Sequence, residues 1–416
     1  MQGIVKDLLR LPPALQALAL AALCWPLPVM SLLSDLRIAD WPMTGRGVPV
    51  LVDFANFWLG AQVGLTGEYA TLFDRHQHVA HAVRHFGDVQ GLMVWSYMPP
   101  MLLLVLPFGL VSNYGVACAL WLACGIGAFV AALRFGGGAS WRTTAAILAA
   151  LLLMPGTVLA LSYGQTALLT SAALAFGLLL APTRPILAGA VLALLICKPH
   201  LGLMVPAALL GLGSWRAFVA TPVFAALYVA VSVAVFGPEP WQLFVSTTLP
   251  QQMAFLTDDA IAPALRLSPY FLLAGLGFDV GTAMHVQIAL ALAVMGVLIA
   301  SLRREADPDI QFLSVALATL LASPYLQVYE LPLLGLAIGR VALSPSASIR
   351  LGQAGTLLLA ATATLGVLVT TAILSRGGCN LTPALLIALF CWLNRETLAA
   401  ILATLRIARP VALQRT

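Results

Sequence analysis

Apolar residues recur along the chain in long, nearly unbroken stretches: Leu15 to Leu33, Met98 to Val111, Val116 to Leu133, Thr143 to Leu161, Thr166 to Ala181, Ile186 to Leu212, Ala217 to Phe236, Val286 to Leu302, Ile310 to Ala322, Leu331 to Leu343, Thr356 to Leu374 and Leu381 to Leu393. A hydrocarbon layer about 30 Å thick takes roughly 20 residues of helix per crossing, so the pattern predicts about ten to twelve membrane segments, several of them too short to cross straight. Runs such as Met101 to Leu106 do not alternate between apolar and polar, which excludes a membrane barrel and leaves an all-α chain. Two polar insertions interrupt the pattern, a long one at about 34–96 and a second at about 237–285. With no internal repeat or low-complexity tract, one transmembrane domain over 1–416 is the simplest division.

Composition sharpens this: of 416 residues, 61% are hydrophobic and 9% charged, where soluble domains carry about a quarter charged residues. The net charge of +5 sits in short connections between apolar stretches, the pattern of cytoplasmic loops and not of a nucleic-acid surface. The first stretch, after Lys6 and Arg10, superficially resembles a secretory signal. It holds Pro26 and Pro28, lacks a convincing cleavage site and precedes further spans, so it reads as an uncleaved helix. With the amino terminus inside, Arg134, Arg142, Arg184, Arg216, Arg303, Arg304, Arg350, Arg395, Arg406 and Arg409 nearly all fall on the cytoplasmic side, and both polar insertions face outward. One parity problem stands: Met98 to Val111 and Val116 to Leu133 cannot both cross while Arg134 and Arg142 stay inside, so either the shorter is re-entrant or the charge rule fails locally. Cys24, Cys118, Cys124, Cys197, Cys379 and Cys391 lack paired ligand spacing and read as small buried side chains.

Candidate chemistry lies at the outward ends of the apolar stretches. Lys198-Pro199-His200 divides Ile186 to Leu212 into two half-spans; a lysine there is costly unless it lines a polar cavity or meets an anion, and the blander readings are an internal ion pair or snorkelling to the interface. Asp53, followed by aromatics and Asn56, is either a general base made more basic by partial burial or the N-cap of a helix from Phe54 onward. Tyr97, Gln165, Tyr325 and Glu330 share this outward face with Asp53, Lys198 and His200. Asp74 starts a helical run in which His78, His81 and His85 share a face; without a HExxH signature or an acidic fourth ligand, an interfacial amphipathic helix is the simpler reading, and no metal is assigned. Asp258-Asp259 lacks Asp-x-Asp spacing and reads as a solvated pair, and no phosphate loop or dinucleotide turn exists, so no cofactor is called for.

The same residues resemble the GT-C-fold glycosyltransferases, and most closely glycosyltransferase family 87, whose members use polyprenyl-phosphate sugars. Asp53-Phe54, with Gly67-Glu68-Tyr69-Ala70-Thr71-Leu72-Phe73-Asp74 beyond it, is similar to the family's acidic first-loop segment, and Tyr97-Met98-Pro99-Pro100 to its Tyr-Pro-Pro element with one residue inserted. Gly164-Gln165, Ala188-Gly189 and Lys198-Pro199 follow in family order, then Ser323-Pro324 and Tyr329-Glu330, with Glu330 where Asp, and Tyr325 where His, is common. The resemblance implies a bacterial inner-membrane enzyme with its active site toward the periplasm or exterior. It would move a mannose-like hexose, with inversion, from a polyprenyl-phosphate donor to a glycan or glycolipid acceptor. It further implies Asp53 as catalytic base; Lys198 is the candidate cation, and His200, Gln165, Tyr97, Asn56, Tyr325 and Glu330 are candidate donor or substrate contacts. A transporter or lipid flippase is the alternative, because broken helices with a midplane charge also mark transport sites.

Overall fold

The computed structural model describes residues 41–89, 93–254, 256, 265–352 and 380–412. Leu15 to Leu33, Thr356 to Leu374, the Asp258-Asp259 pair, Cys24 and Cys379 lie outside them. Helices dominate the described residues and no β-strand forms there; two isolated β-bridges join Met43 to Pro49 and Arg266 to Gln327.

Three helices, Tyr114–Arg134, Trp215–Phe236 and Val280–Leu302, are each long and apolar enough to cross a membrane. Up to six spans result if three sharply bent helix pairs each count as one. Other apolar stretches among the described residues form shorter helices of 10–17 residues, as expected of segments too short to cross straight. Pro155 explains one bend: its ring cannot continue a helix, and Thr143 to Leu161 is not one rod but Trp141–Leu152 and Pro155–Tyr163, turned by 75°. Met98 to Val111 reduces to Pro100–Gly109, ten residues or about 15 Å of helix, half a hydrocarbon layer. That length fits the re-entrant solution of the parity problem.

Ile186 to Leu212 divides where its proline and lysine predict. Pro185–Ala193 passes through a 3-10 turn to Cys197, Lys198 takes a non-helical conformation, and the chain resumes at Pro199, ending in the Val205–Gly211 helix. Small residues let these segments pack: Gly189 lies against Ala220 of Trp215–Phe236, where a Cβ would stand 2.5 Å from the alanine methyl. The first polar insertion is not an open loop. It folds into a hairpin at 41–51 and the helices Val52–Thr66, Tyr69–Phe73 and Arg75–Phe86, and Asp74 caps the last by accepting from the Gln77 amide at 2.9 Å.

Two apolar clusters result. The larger joins Ala167–Leu180, Pro308–Ala322 and Pro332–Leu343; the smaller wraps Val52–Thr66 with Trp95, Met101 and Trp121. Leu195 belongs to the first and Cys197 to the second, so the break at Lys198 falls on the seam between them. Cys118 and Cys197 are buried as expected, whereas Cys124 and Cys391 are exposed on helix surfaces, where the sequence pattern alone does not tell outward from inward faces.

At the opposite pole Arg340, only 6% exposed, is a residue that the pattern of apolar stretches passes over. Its guanidinium contacts Asp309 through Nη2 at 2.7 Å and donates through Nη1 to the carbonyls of Ala132 and Phe135. It thereby ties the start of Pro308–Ala322 to the end of Tyr114–Arg134, where it adds to the Phe135 amide bond on the Ala132 carbonyl and engages the carbonyl of Phe135.

Candidate active site

The turn that positions the site is Gly164-Gln165, at the end of Pro155–Tyr163. Gly164 has φ 69°, and a Cβ there would lie 2.6 Å from Phe54 Cβ, so no other residue fits without displacing the helix that carries Asp53. Trp121 Nε1 donates to the Gly164 carbonyl at 2.8 Å, and its ring stacks on Phe54. Leu51, left-handed at φ 55°, opens the Val52–Thr66 helix on the other side of the contact.

Asp53 lies in the first turn of that helix. It does not cap the helix, whose N-cap is Leu51 without a side-chain bond; instead Oδ2 reaches across to accept from Gln165 Nε2 at 2.7 Å. Gln165 Oε1 accepts from Lys198 Nζ at 2.9 Å, and Lys198 donates to Glu330 Oε1 at 2.7 Å. Lys198 and Glu330 are buried, 5% and 3% exposed, and form the internal ion pair that an unpaired lysine in an apolar stretch requires. His200 Nε2 stands 3.9 Å from the same Glu330 oxygen. Desolvation is the largest influence on Asp53, ahead of the lowering effects of Gln165 and Lys198, and pushes its carboxyl up from the usual 3.8 to about 6.

Asp53, Asn56, Tyr97, Gln165, Lys198, His200, Tyr325 and Glu330 all line one cavity of about 1300 Å³. The segments that carry them are scattered from Asp53 to Glu330 along the sequence, yet their polar side chains converge on this one cavity. Asn56 and Tyr325 stand apart from the hydrogen-bonded chain. Asn56 Oδ1 accepts from His78 Nε2 at 2.8 Å, and Tyr325 packs its ring 6.5 Å from His200. Tyr97 is held between Phe57 and Trp95. Tyr329, which sequence reasoning treated only as a neighbour of Glu330, places its ring 5.3 Å from Lys198 Nζ.

The histidine run is split by its environment. His78 is fully buried on Asn56, and burial pushes its imidazole down to about 4, so it is neutral. His81 bonds Arg84, and His85 packs edge-on to Trp58. Among the described residues no group of three or more such side chains converges to hold a metal ion.

An all-helical, apolar chain with a broken segment and a charged cavity at one pole is an integral membrane protein built around a substrate site. A family model then matches residues 95–324, more than half of the chain, and its description is glycosyltransferase family 87. The chain belongs to glycosyltransferase family 87 and is a membrane glycosyltransferase, with sugar donor and acceptor as its substrates. Tyr97, Gln165, Lys198 and His200 fall inside the matched region, Asp53 before it, and Tyr325 and Glu330 just after it. No curated protein and no solved structure matches the chain.

Proposed function

We propose that this enzyme moves a mannose-like hexose from a polyprenyl-phosphate donor to a glycan or glycolipid acceptor, with inversion, on the non-cytoplasmic face of a bacterial inner membrane, within a GT-C-like bundle of ten to twelve membrane segments. The observation that carries the reading is the setting of Asp53. One carboxylate oxygen is held by Gln165, no donor among the described residues engages the other, and the group borders a large cavity that also holds a lysine.

In the proposed step Asp53 Oδ1 takes the proton of an acceptor hydroxyl as that oxygen bonds the anomeric carbon. The bond from the anomeric carbon to the phosphate oxygen breaks, and its electron pair leaves on polyprenyl phosphate. A glycosidase must protonate a departing alkoxide with a second carboxyl; a phosphate leaves as a stable anion and needs only a cation. Lys198 spends two of its three ammonium hydrogens on Gln165 and Glu330, which leaves one for the departing phosphate. Tyr97, His200, Tyr325 and Asn56 are proposed sugar and phosphate contacts. The outward orientation is supported by the two poles: the Arg340–Asp309 pair lies at the far end of the helices whose near ends carry Glu330 and Ser323.

The test is transfer of labelled sugar by the purified protein from a panel of polyprenyl-phosphate and nucleotide donors. Transfer from a polyprenyl-phosphate donor alone is the expected result. Transfer from nucleotide sugars, or lipid movement in liposomes without transfer, sinks the reading, and the latter promotes a flippase.

A further inference from the structure

The hydrogen bonds through Gln165 carry more than position. A glutamine amide usually has two orientations of nearly equal energy, but here its ends face opposite charges. An ammonium can only donate, so Lys198 takes the oxygen; a carboxylate can only accept, so Asp53 takes the N–H₂. The amide is therefore locked by the charges at its two ends. Lys198 is itself fixed by Glu330, on a segment 132 residues away in sequence.

We infer that Gln165 and Glu330 are positioning residues in a single charge-ordered chain, Glu330–Lys198–Gln165–Asp53, that assigns the two Asp53 oxygens different work. Oδ2 is anchored to the amide, and Oδ1 is the oxygen left to receive a proton. Glu330 fixes Lys198 and also stands 3.9 Å from His200 Nε2, and beyond the direct field of its two charges the Lys198–Glu330 pair acts on Asp53 through the Gln165 amide it orients. The inference rests on the proposed role of Asp53 as base, and it removes Gln165 and Glu330 from direct contact with substrate. Lys198 donates in both directions, to Glu330 and to Gln165; along the Lys198–Gln165–Asp53 arm the two bonds run head to tail, so each polarises the next and they couple more strongly than separate pairs.

Two different mechanisms would let the ion pair influence Asp53. A field acting through space does not need Gln165; an oriented amide does. A double-mutant cycle separates them. Gln165→Met keeps length and removes both amide functions, and Lys198→Met/Glu330→Gln removes the buried pair without stranding a charge. The readout is the protonation midpoint of Asp53 in the full-length protein, followed by infrared difference spectroscopy of the carboxyl band against Asp53→Asn. Asp53 shares its cavity with Arg46, His200, Tyr97, Tyr163 and Tyr329, and none of these is altered in the cycle.

Gln165→Met is expected to raise the midpoint by about one pH unit, the ordinary effect of a lost hydrogen bond to a carboxylate. Introducing the pair substitution into that background is expected to move it less than half as far as in the native chain. An unchanged midpoint in Gln165→Met, or equal shifts from the pair substitution in both backgrounds, overturns the inference. Because the midpoint is read without turnover, a protein that transfers no sugar would refute the transferase reading while leaving the chain testable. In an active enzyme Gln165→Met should lower kcat by about tenfold or more and leave the donor KM within about threefold, the split expected of a group acting on the base alone.

Discussion

Gly164→Ala is expected to silence the enzyme through one methyl group. The new Cβ would lie 2.6 Å from Phe54 Cβ and 3.0 Å from Leu51 Cβ, whereas ordinary contact begins near 3.4 Å, so something must move by close to 1 Å. Neither neighbour yields easily: Phe54 is fully buried against Trp121, and Leu51 already holds a left-handed backbone at φ 55°. The alanine's own left-handed conformation costs about 1–2 kcal/mol, and overpacking a dense core adds about 1–3 kcal/mol. The Asp53 to Gln165 bond is 2.7 Å long, so a displacement of that size between their two segments takes it past hydrogen-bond range. Thermal melting and sugar transfer, measured on the same preparation, should show a destabilised protein whose transfer falls further than its folded fraction. Asparagine tolerates the left-handed conformation but carries the same Cβ, so Gly164→Asn should regain some stability and little activity. Gly164→Ala with native melting and native transfer would refute the packing argument.

Transfer should also depend on pH in one direction. Asp53, pushed up to about 6 by burial, must be ionised to act, so kcat/KM is expected to fall about tenfold per unit below pH 6 and to level off above it; a profile flat down to pH 4.5 would contradict this. Arg340→Met strands the Asp309 carboxylate, removes a donor from the Phe135 carbonyl and should cost about 3–5 kcal/mol in unfolding experiments, with Arg340→Met/Asp309→Leu recovering much of the loss. Full stability in the single variant would show that the pair contributes nothing.

The membrane class and the polar residues of the cavity are legible in the sequence because isolated polar side chains in apolar surroundings have few explanations. Lys198 beside Pro199 demands both a helix break and a partner, and the structure supplies both. The identity of that partner is not legible. Glu330 is 132 residues from Lys198, and Gln165 is 112 from Asp53, and no local rule pairs groups at such separations. Local rules also mislead at Asp53, where proximity to a helix start suggests a cap while the side chain turns to Gln165 instead. Two signals were present and unused: Pro155 inside an apolar stretch announces the 75° bend, and Arg340 within Leu331 to Leu343 announces a buried anion. The number of complete crossings resists reading from hydropathy because short apolar helices bend and break, as Trp141–Leu152 and Pro155–Tyr163 do.

The most direct test of the account is Asp53→Asn, which keeps the side chain's shape and removes its basicity. Asparagine's oxygen can still accept from Gln165, so the purified variant should bind a polyprenyl-phosphate sugar as the native enzyme does and melt no lower, while transfer of labelled sugar to acceptor falls by about a thousandfold, the size of loss expected when a general base is removed. Transfer within tenfold of native, with donor binding intact, would contradict Asp53 as the base and with it the mechanism proposed for this site.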